Sequence, residues 1–205
     1  MASVSIIGTG KMGAAIAGIA ARAGADVQLI AHRPDNAGSA PSGHPVGTLG
    51  DDLTGDLVVL AVPYAGVDGI LRRYADRLAG KVVVDITNPL DPATFDRLVV
   101  PADSSAAEGI AARLPGAKVV KAFNTTFAAT LDSGTTGGRP TTVLVAGNDA
   151  EAKGAVISLV RGAGLNGVDA GALKRARELE ALGFLEITLA VTEKTSWTGG
   201  FALVP

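Results

Sequence analysis

The chain has 205 residues, no cysteine, and eighteen Lys and Arg against twenty Asp and Glu, a formal charge of −2. That length fits one domain, or one with an appendage, and buries a substantial core without disulfide or metal staples. The missing thiols exclude disulfides, thiolate metal sites and thiol catalysis; with only His32 and His44 an imidazole-rich metal centre is disfavoured, and the balanced charge gives no footprint for nucleic acid or acidic membranes. Apolar residues make up 47% and aromatics 4%, a mixture that suits helices packed closely on a sheet. No apolar run approaches the roughly 20 residues that span a bilayer, and the N-terminus lacks a basic leader with a cleavage site. A cytoplasmic protein without membrane contact is expected.

Taken in order, residues 4–7 form a short apolar run that stops at Gly8, and 11–23 an Ala-rich helical stretch that stops before Gly24. A second strand covers 27–31. The third, 57–62, is continuously apolar and stops at Pro63, and 65–78 reads as helix. The fourth strand, 81–86, holds three consecutive valines and ends at Thr87-Asn88-Pro89. Helix follows at 104–114, capped by Asp103 or Ser104. Strands at 118–122 and 141–146 come next, then a helix over 149–162 capped by Asn148 or Asp149. The longest helical pattern runs from 172 to about 191, with Leu173, Ala176, Leu179, Leu182 and Ile187 on its apolar stripe. Between Ala31 and Asp56 a crossover helix would be expected. Pro34, Gly38, Pro41, Gly43, Pro45, Gly47 and Gly50 fill the interval instead, which predicts a loop with at most one helical turn.

Strands without polar alternation are buried on both faces, and alternating strand and helix predicts an α/β fold. The expected architecture is a doubly wound, mostly parallel Rossmann sheet with helices on both faces and a small C-terminal helical or strand extension. Residues 1–170 would form the nucleotide-binding domain, and 171–205 a helix and tail packed on it.

Gly8-Thr9-Gly10-Lys11-Met12-Gly13 matches G-x-G-x-x-G, and its place between a strand and a helix gives the pattern weight. Gly8 permits the tight turn, Gly10 lets a pyrophosphate approach the backbone, and Gly13 lets helix and strand pack closely. The helix N-terminus offers free N–H groups to phosphate. The second strand ends at Ala31 and is followed by His32 and Arg33, where an NAD site would carry a carboxylate. A guanidinium binds a 2′-phosphate with paired charge-assisted bonds, so Arg33 points to NADP(H).

Ligands in such sheets sit beyond the carboxyl ends of the strands. Those ends carry Ala61-Val62-Pro63-Tyr64, Asp85-Ile86-Thr87-Asn88-Pro89 and Ala122-Phe123-Asn124-Thr125. Asn88 and Asn124 could orient a carboxamide or substrate carbonyl; each could equally be a turn or cap residue. Lys121 is expected to point away from the site. No Ser-x-x-x-Tyr-x-x-x-Lys arrangement and no well-placed general acid is present, and no catalytic residue is assigned. Hydride exchange between two ring cofactors needs no dedicated proton donor, which favours a nicotinamide-to-flavin type of exchange.

The segments IIGTGKMG (6–13), AVPY (61–64), DITNPL (85–90), VKAFNTTFA (120–128), VLVAGNDAEAK (143–153) and DAGALKRARELEALGF (169–184) together resemble the NADP-dependent oxidoreductase family of the coenzyme F-420 (deazaflavin) type. The likeness is greatest to a short subgroup described as dinucleotide-binding oxidoreductases, and the cofactor domain also resembles that of six-transmembrane metalloreductases. The resemblance implies that Gly8, Thr9, Gly10, Lys11 and Met12 hold the pyrophosphate. It implies that His32 and Arg33 hold the 2′-phosphate. It places Ala61, Val62, Pro63, Tyr64, Asn88, Pro89, Ala122, Phe123 and Asn124 at the nicotinamide end. The implied cofactor is NADP(H), with coenzyme F-420, FMN or FAD as the exchanging substrate.

Two alternatives stand beside deazaflavin or flavin reduction: an NADPH-dependent imine or carbonyl reductase resembling pyrroline-carboxylate reductase, and a non-catalytic NADP(H)-binding redox sensor. Trp197, Gly199, Gly200 and Phe201 follow the last helix, as a substrate wall, a final strand, or core packing for the two aromatics. A second face on that helix suggests a homodimer.

Overall fold

Runs of Val, Ile and Leu between Ala-rich segments become strands because they bury on both faces of one sheet. The computed structural model describes residues 2–32 and 43–204. The chain opens with β1 (Ser3–Ile7), α1 (Lys11–Arg22), β2 (Asp26–Ala31), β3 (Val46–Thr48) and β4 (Leu57–Leu60). It continues with α2 (Tyr64–Tyr74), β5 (Val82–Asp85), α3 (Ala106–Arg113), β6 (Lys118–Lys121) and α4 (Ala128–Ser133). The last part holds the short pair β7 (Thr135–Thr136) and β8 (Arg139–Pro140), then β9 (Thr142–Gly147), α5 (Ala150–Gly162), β10 (Asn166–Gly171) and α6 (Ala176–Val191).

Eight strands form one sheet in the order β10-β9-β6-β5-β4-β1-β2-β3. Neighbours are parallel except β6 and β9, which meet antiparallel at Val120–Gly147 and Lys121–Ala146. The mostly parallel α/β architecture expected from the sequence is therefore observed. Successive residues feed opposite cores. Ile6 and Val59 join α1 and α5 on one face, where Ile16, Ile19, Val156 and Leu159 pack. Ile7, Val58 and Leu60 join α2 and α3 on the other, with Ile70, Leu71, Tyr74 and Ile110. Leu173 and Ala176, at the start of the last helical segment, belong to that second core.

Several expectations are corrected. The described part of the 31–56 interval holds a strand: β3 pairs with β2 at the sheet edge, and Leu29 N–H donates to Pro45 O at 2.9 Å. Three residues with a central glycine give no readable strand pattern. Arg33, Pro34, Gly38 and Pro41 lie outside the described residues. β10 was not predicted because Asn-Gly-Val-Asp-Ala-Gly is an edge strand with polar positions, and α4 is a helix of only six residues. The β7–β8 pair turns through Gly137 and Gly138, at φ 58 and 76, a conformation that favours glycine at both positions of a two-residue hairpin. The cap of α3 is Ser105, one residue beyond Ser104; its hydroxyl accepts from Glu108 N–H while bonding the Glu108 carboxylate at 3.0 Å. The long helical pattern splits into a 3-10 turn, Leu173–Arg175, and α6. No strand forms in the described residues after α6. Trp197 and Phe201, at 53% and 47% exposure, are not core residues.

Candidate active site

The sheet reverses direction of growth at β1, which lies between β2 and β4, and the cleft opens at this switch point. Gly8 makes the turn at φ +122, a region that disfavours any side chain. A Cβ there would strike the backbone of Ala61, and one on Gly13 would strike the Gly8 carbonyl. By contrast, a Cβ on Gly10 would meet nothing within 4 Å. The turn is thus closed behind and open in front, where a pyrophosphate would sit. Gly10 caps α1 with no side-chain hydrogen bond, and the first turn contains no acidic residue. Its N–H groups are left for an anion. These features fit a dinucleotide.

Two adjoining chambers share Lys11, Met12, Ile86, Asn88 and Ile187. One, of about 540 Å³, is bordered by Gly10, Ala61, Val62, Pro63 and Tyr64. The other, of about 350 Å³, is bordered by Asn124, Thr126, Phe127, Ala128, Ala129 and Trp197. Trp197 stands against Phe127 with ring centroids 4.9 Å apart and tilted by 58°. Lys11 is the charged side chain common to both chambers.

Asn88 and Asn124 form a locked amide pair between them. Asn124 Nδ2 donates to Asn88 Oδ1 at 2.9 Å and to Leu179 O at 2.8 Å. Asn88 Nδ2 donates to Asn124 O at 2.9 Å. Both N–H bonds of Asn124 are used, while its buried Oδ1 has no partner among the described residues. One N–H of Asn88 is likewise left over. The pair therefore presents one acceptor and one donor, which is what a carboxamide needs. α6 crosses the pair at Gly183, where a Cβ would lie 2.5 Å from Asn88 Oδ1. Phe123, at φ 63, is a strained left-handed residue that turns the chain just before Asn124.

Behind the pair lies a buried ion cluster. Lys121 Nζ meets Asp85 Oδ2 at 2.8 Å and Glu180 Oε1 at 2.9 Å. Glu180 also accepts the N–H groups of Ala106 and Ala107 at the start of α3. Burial raises the Glu180 carboxyl above its ordinary value, against the opposing pull of Lys121.

The family model for coenzyme F420-dependent NADP oxidoreductases matches residues 3–89. An F420-dependent NADP reductase from Methanocaldococcus jannaschii is 37% identical over 149 residues, covering 71% of this chain and 66% of that protein. A crystal structure of a proposed F420-dependent NADP reductase from Arthrobacter sp. FB24 superposes with a TM-score of 0.84 at 30% identity, covering 100% of both chains. The chain belongs to the F420-dependent NADP oxidoreductase family. It also matches the metalloreductase STEAP3 of Rattus norvegicus, at 32% identity over 87% of this chain but only 36% of that protein.

Within this family member, the structure brings Gly10, Lys11, Met12, Ala61, Val62, Pro63, Tyr64, Asn88 and Asn124 to the two chambers. Gly8 lies beneath them in the turn, and Thr9 borders neither. Pro89, Ala122 and Phe123 are buried and line neither chamber. His32 opens on a separate cleft with Leu49, Ile70, Arg72 and Arg73. Arg33 lies outside the described residues. Lys121 points away from the chambers, as expected, but into the ion cluster. Sequence reasoning missed Gly183, Ile187 and Glu180. An isolated glycine inside a helical pattern was the available signal for Gly183.

Glu186 lies under the tail, 2% exposed, with Oε1 unpartnered among the described residues. Burial pushes its carboxyl up to about 7, and the Phe201 backbone opposes this only in part. The native state therefore prefers the protonated form. That contribution to stability is full below about pH 4.5, the unfolded value, and is lost as pH rises through about 7. Glu186→Gln is expected to flatten the fall in melting temperature between about pH 5 and about pH 8. Parallel wild-type and variant profiles in scanning calorimetry would contradict this.

Proposed function

We propose that the chain binds NADP(H) along the β1–α1 turn and exchanges hydride between its nicotinamide and a deazaflavin- or flavin-type acceptor. The dinucleotide would be held by residues 1–170, and the extension 171–205 would complete the acceptor side through Ile187 and Trp197. The observation that carries this reading is the pair of adjoining chambers, one at the glycine turn and one walled by Phe127 and Trp197. When bound, the nicotinamide supplies or accepts the hydride.

The protein's part is placement. α1 N–H groups and Lys11 meet the diphosphate, with His32 and Arg33 at the 2′-phosphate. Asn124 Oδ1 and the spare Asn88 N–H orient the carboxamide. Met12, Ile86 and Ile187, which line both chambers, would keep water from the groups bound there. An acceptor ring that carries its own charge makes a dedicated acid unnecessary. The reading also includes a cytoplasmic protein and a homodimer through exposed apolar residues of α6 such as Leu185 and Val191. Among the described residues no helix is long and apolar enough to cross a membrane.

The test is loss of NADPH absorbance with coenzyme F420, FMN or FAD as acceptor. Turnover is expected with at least one. Tight NADPH binding without turnover on any of them would overturn hydride transfer and leave a binding protein.

A further inference from the structure

We propose that Lys121 is a positioning residue that fixes the Thr87–Asn88 edge of the cleft. The proposal rests on the reading that this cleft holds a dinucleotide beside a hydride acceptor. Lys121 is 0% exposed. Its ammonium has three donors, and all are used: Asp85 Oδ2 at 2.8 Å, Glu180 Oε1 at 2.9 Å and Thr87 O at 2.5 Å. The other oxygen of Asp85 accepts Thr87 N–H at 2.9 Å. Both backbone polar groups of Thr87 are therefore tied to the ion cluster.

Thr87 O belongs to the peptide that leads into Asn88. Holding that carbonyl sets the peptide plane, and the plane sets where the Asn88 side chain leaves the backbone. Asn88 in turn bonds Asn124, whose unpartnered Oδ1 is the acceptor offered to a carboxamide. The same cluster anchors α6 through Glu180, four residues along from Ala176 in the second core and one turn before Gly183. A buried ion pair is a poor source of stability compared with apolar side chains of similar volume. What this one adds is a fixed direction for Thr87 and Asn88.

The test separates stability from placement. Lys121→Met is expected to lower the melting temperature, because Asp85 and Glu180 lose their cation. Adding Asp85→Asn and Glu180→Gln removes the charges and should recover most of it. In that triple variant NADPH should bind within about threefold of wild type, since the glycine turn is untouched. Its kcat with the acceptor should fall at least about tenfold. A triple variant with recovered stability and kcat within about twofold of wild type would overturn the proposal. Hydrogen exchange on the wild-type protein gives a second arm that needs no variant to fold. The Thr87 amide should be protected as strongly as those of β5; exchange as fast as in the 91–104 loop would overturn the proposal. Failure of wild-type protein to bind NADPH would sink the functional reading instead, and the exchange arm would still decide whether the edge is held.

Discussion

Gly8→Ala is expected to abolish dinucleotide binding and to destabilise the fold. The backbone at Gly8 sits at φ +122, and a Cβ would run into the Ala61 carbonyl at the end of β4. Strain of this kind costs about 1–3 kcal/mol, and the backbone displacement adds to it. β1 cannot yield easily: Gly8 N–H donates to Ile30 O and Ala61 N–H to Ile7 O, both at 2.9 Å. The turn would have to open, and the N–H groups of α1 would lose their aim. A loss of at least about 100-fold in NADPH affinity is expected by calorimetric titration, together with a lower melting temperature. Gly10→Ala is the matched control. Nothing in the protein opposes a Cβ there, so it should fold as wild type and still bind NADPH poorly. Wild-type affinity in Gly10→Ala would mean that no phosphate approaches this backbone.

Gly183→Ala is expected to disable the amide pair while leaving the glycine turn intact. Its Cβ would lie 2.5 Å from Asn88 Oδ1 and 2.7 Å from Asn124 O. α6 would have to move away, or the asparagines would have to part. Overpacking of this kind costs about 1–3 kcal/mol. Turnover should fall at least about tenfold, with a smaller effect on NADPH affinity. Unchanged turnover would show that the asparagines do not position a reacting group.

The contrast between these two glycines shows what a sequence can and cannot disclose. Gly8, Gly10 and Gly13 were legible because their work is local: one strand, one turn and one helix lie within a few residues. The buried strands were legible for the same reason, since unbroken Val, Ile and Leu runs have one reading in a covered sheet. Gly183 works across the fold, against residues 88 and 124; its isolated place in a helical pattern signals a close approach but not the partners. Glu180 and Glu186 are likewise hidden. On a helical projection they look like solvated charges, yet tertiary packing buries both. Asp85 and Lys121 each sit at the end of a valine-rich strand, and only the pairing of β5 with β6 brings them together. Edge strands β3 and β10 escaped because β3 is three residues around a glycine and β10 carries two glycines and the exposed Asn166 and Asp169. Trp197 reads from the sequence as a wall, a strand or core residue; the chain beyond α6 sets it against Phe127 at the border of the smaller chamber.

Calorimetric titration with NADPH and NADH, on the wild type and on Arg33→Ala, tests the central claim most directly. NADPH should bind the wild type with a Kd of about micromolar and NADH at least about tenfold more weakly, with that preference lost in Arg33→Ala. Absence of heat with both nucleotides would contradict the dinucleotide site, and equal losses for both in Arg33→Ala would contradict the 2′-phosphate contact.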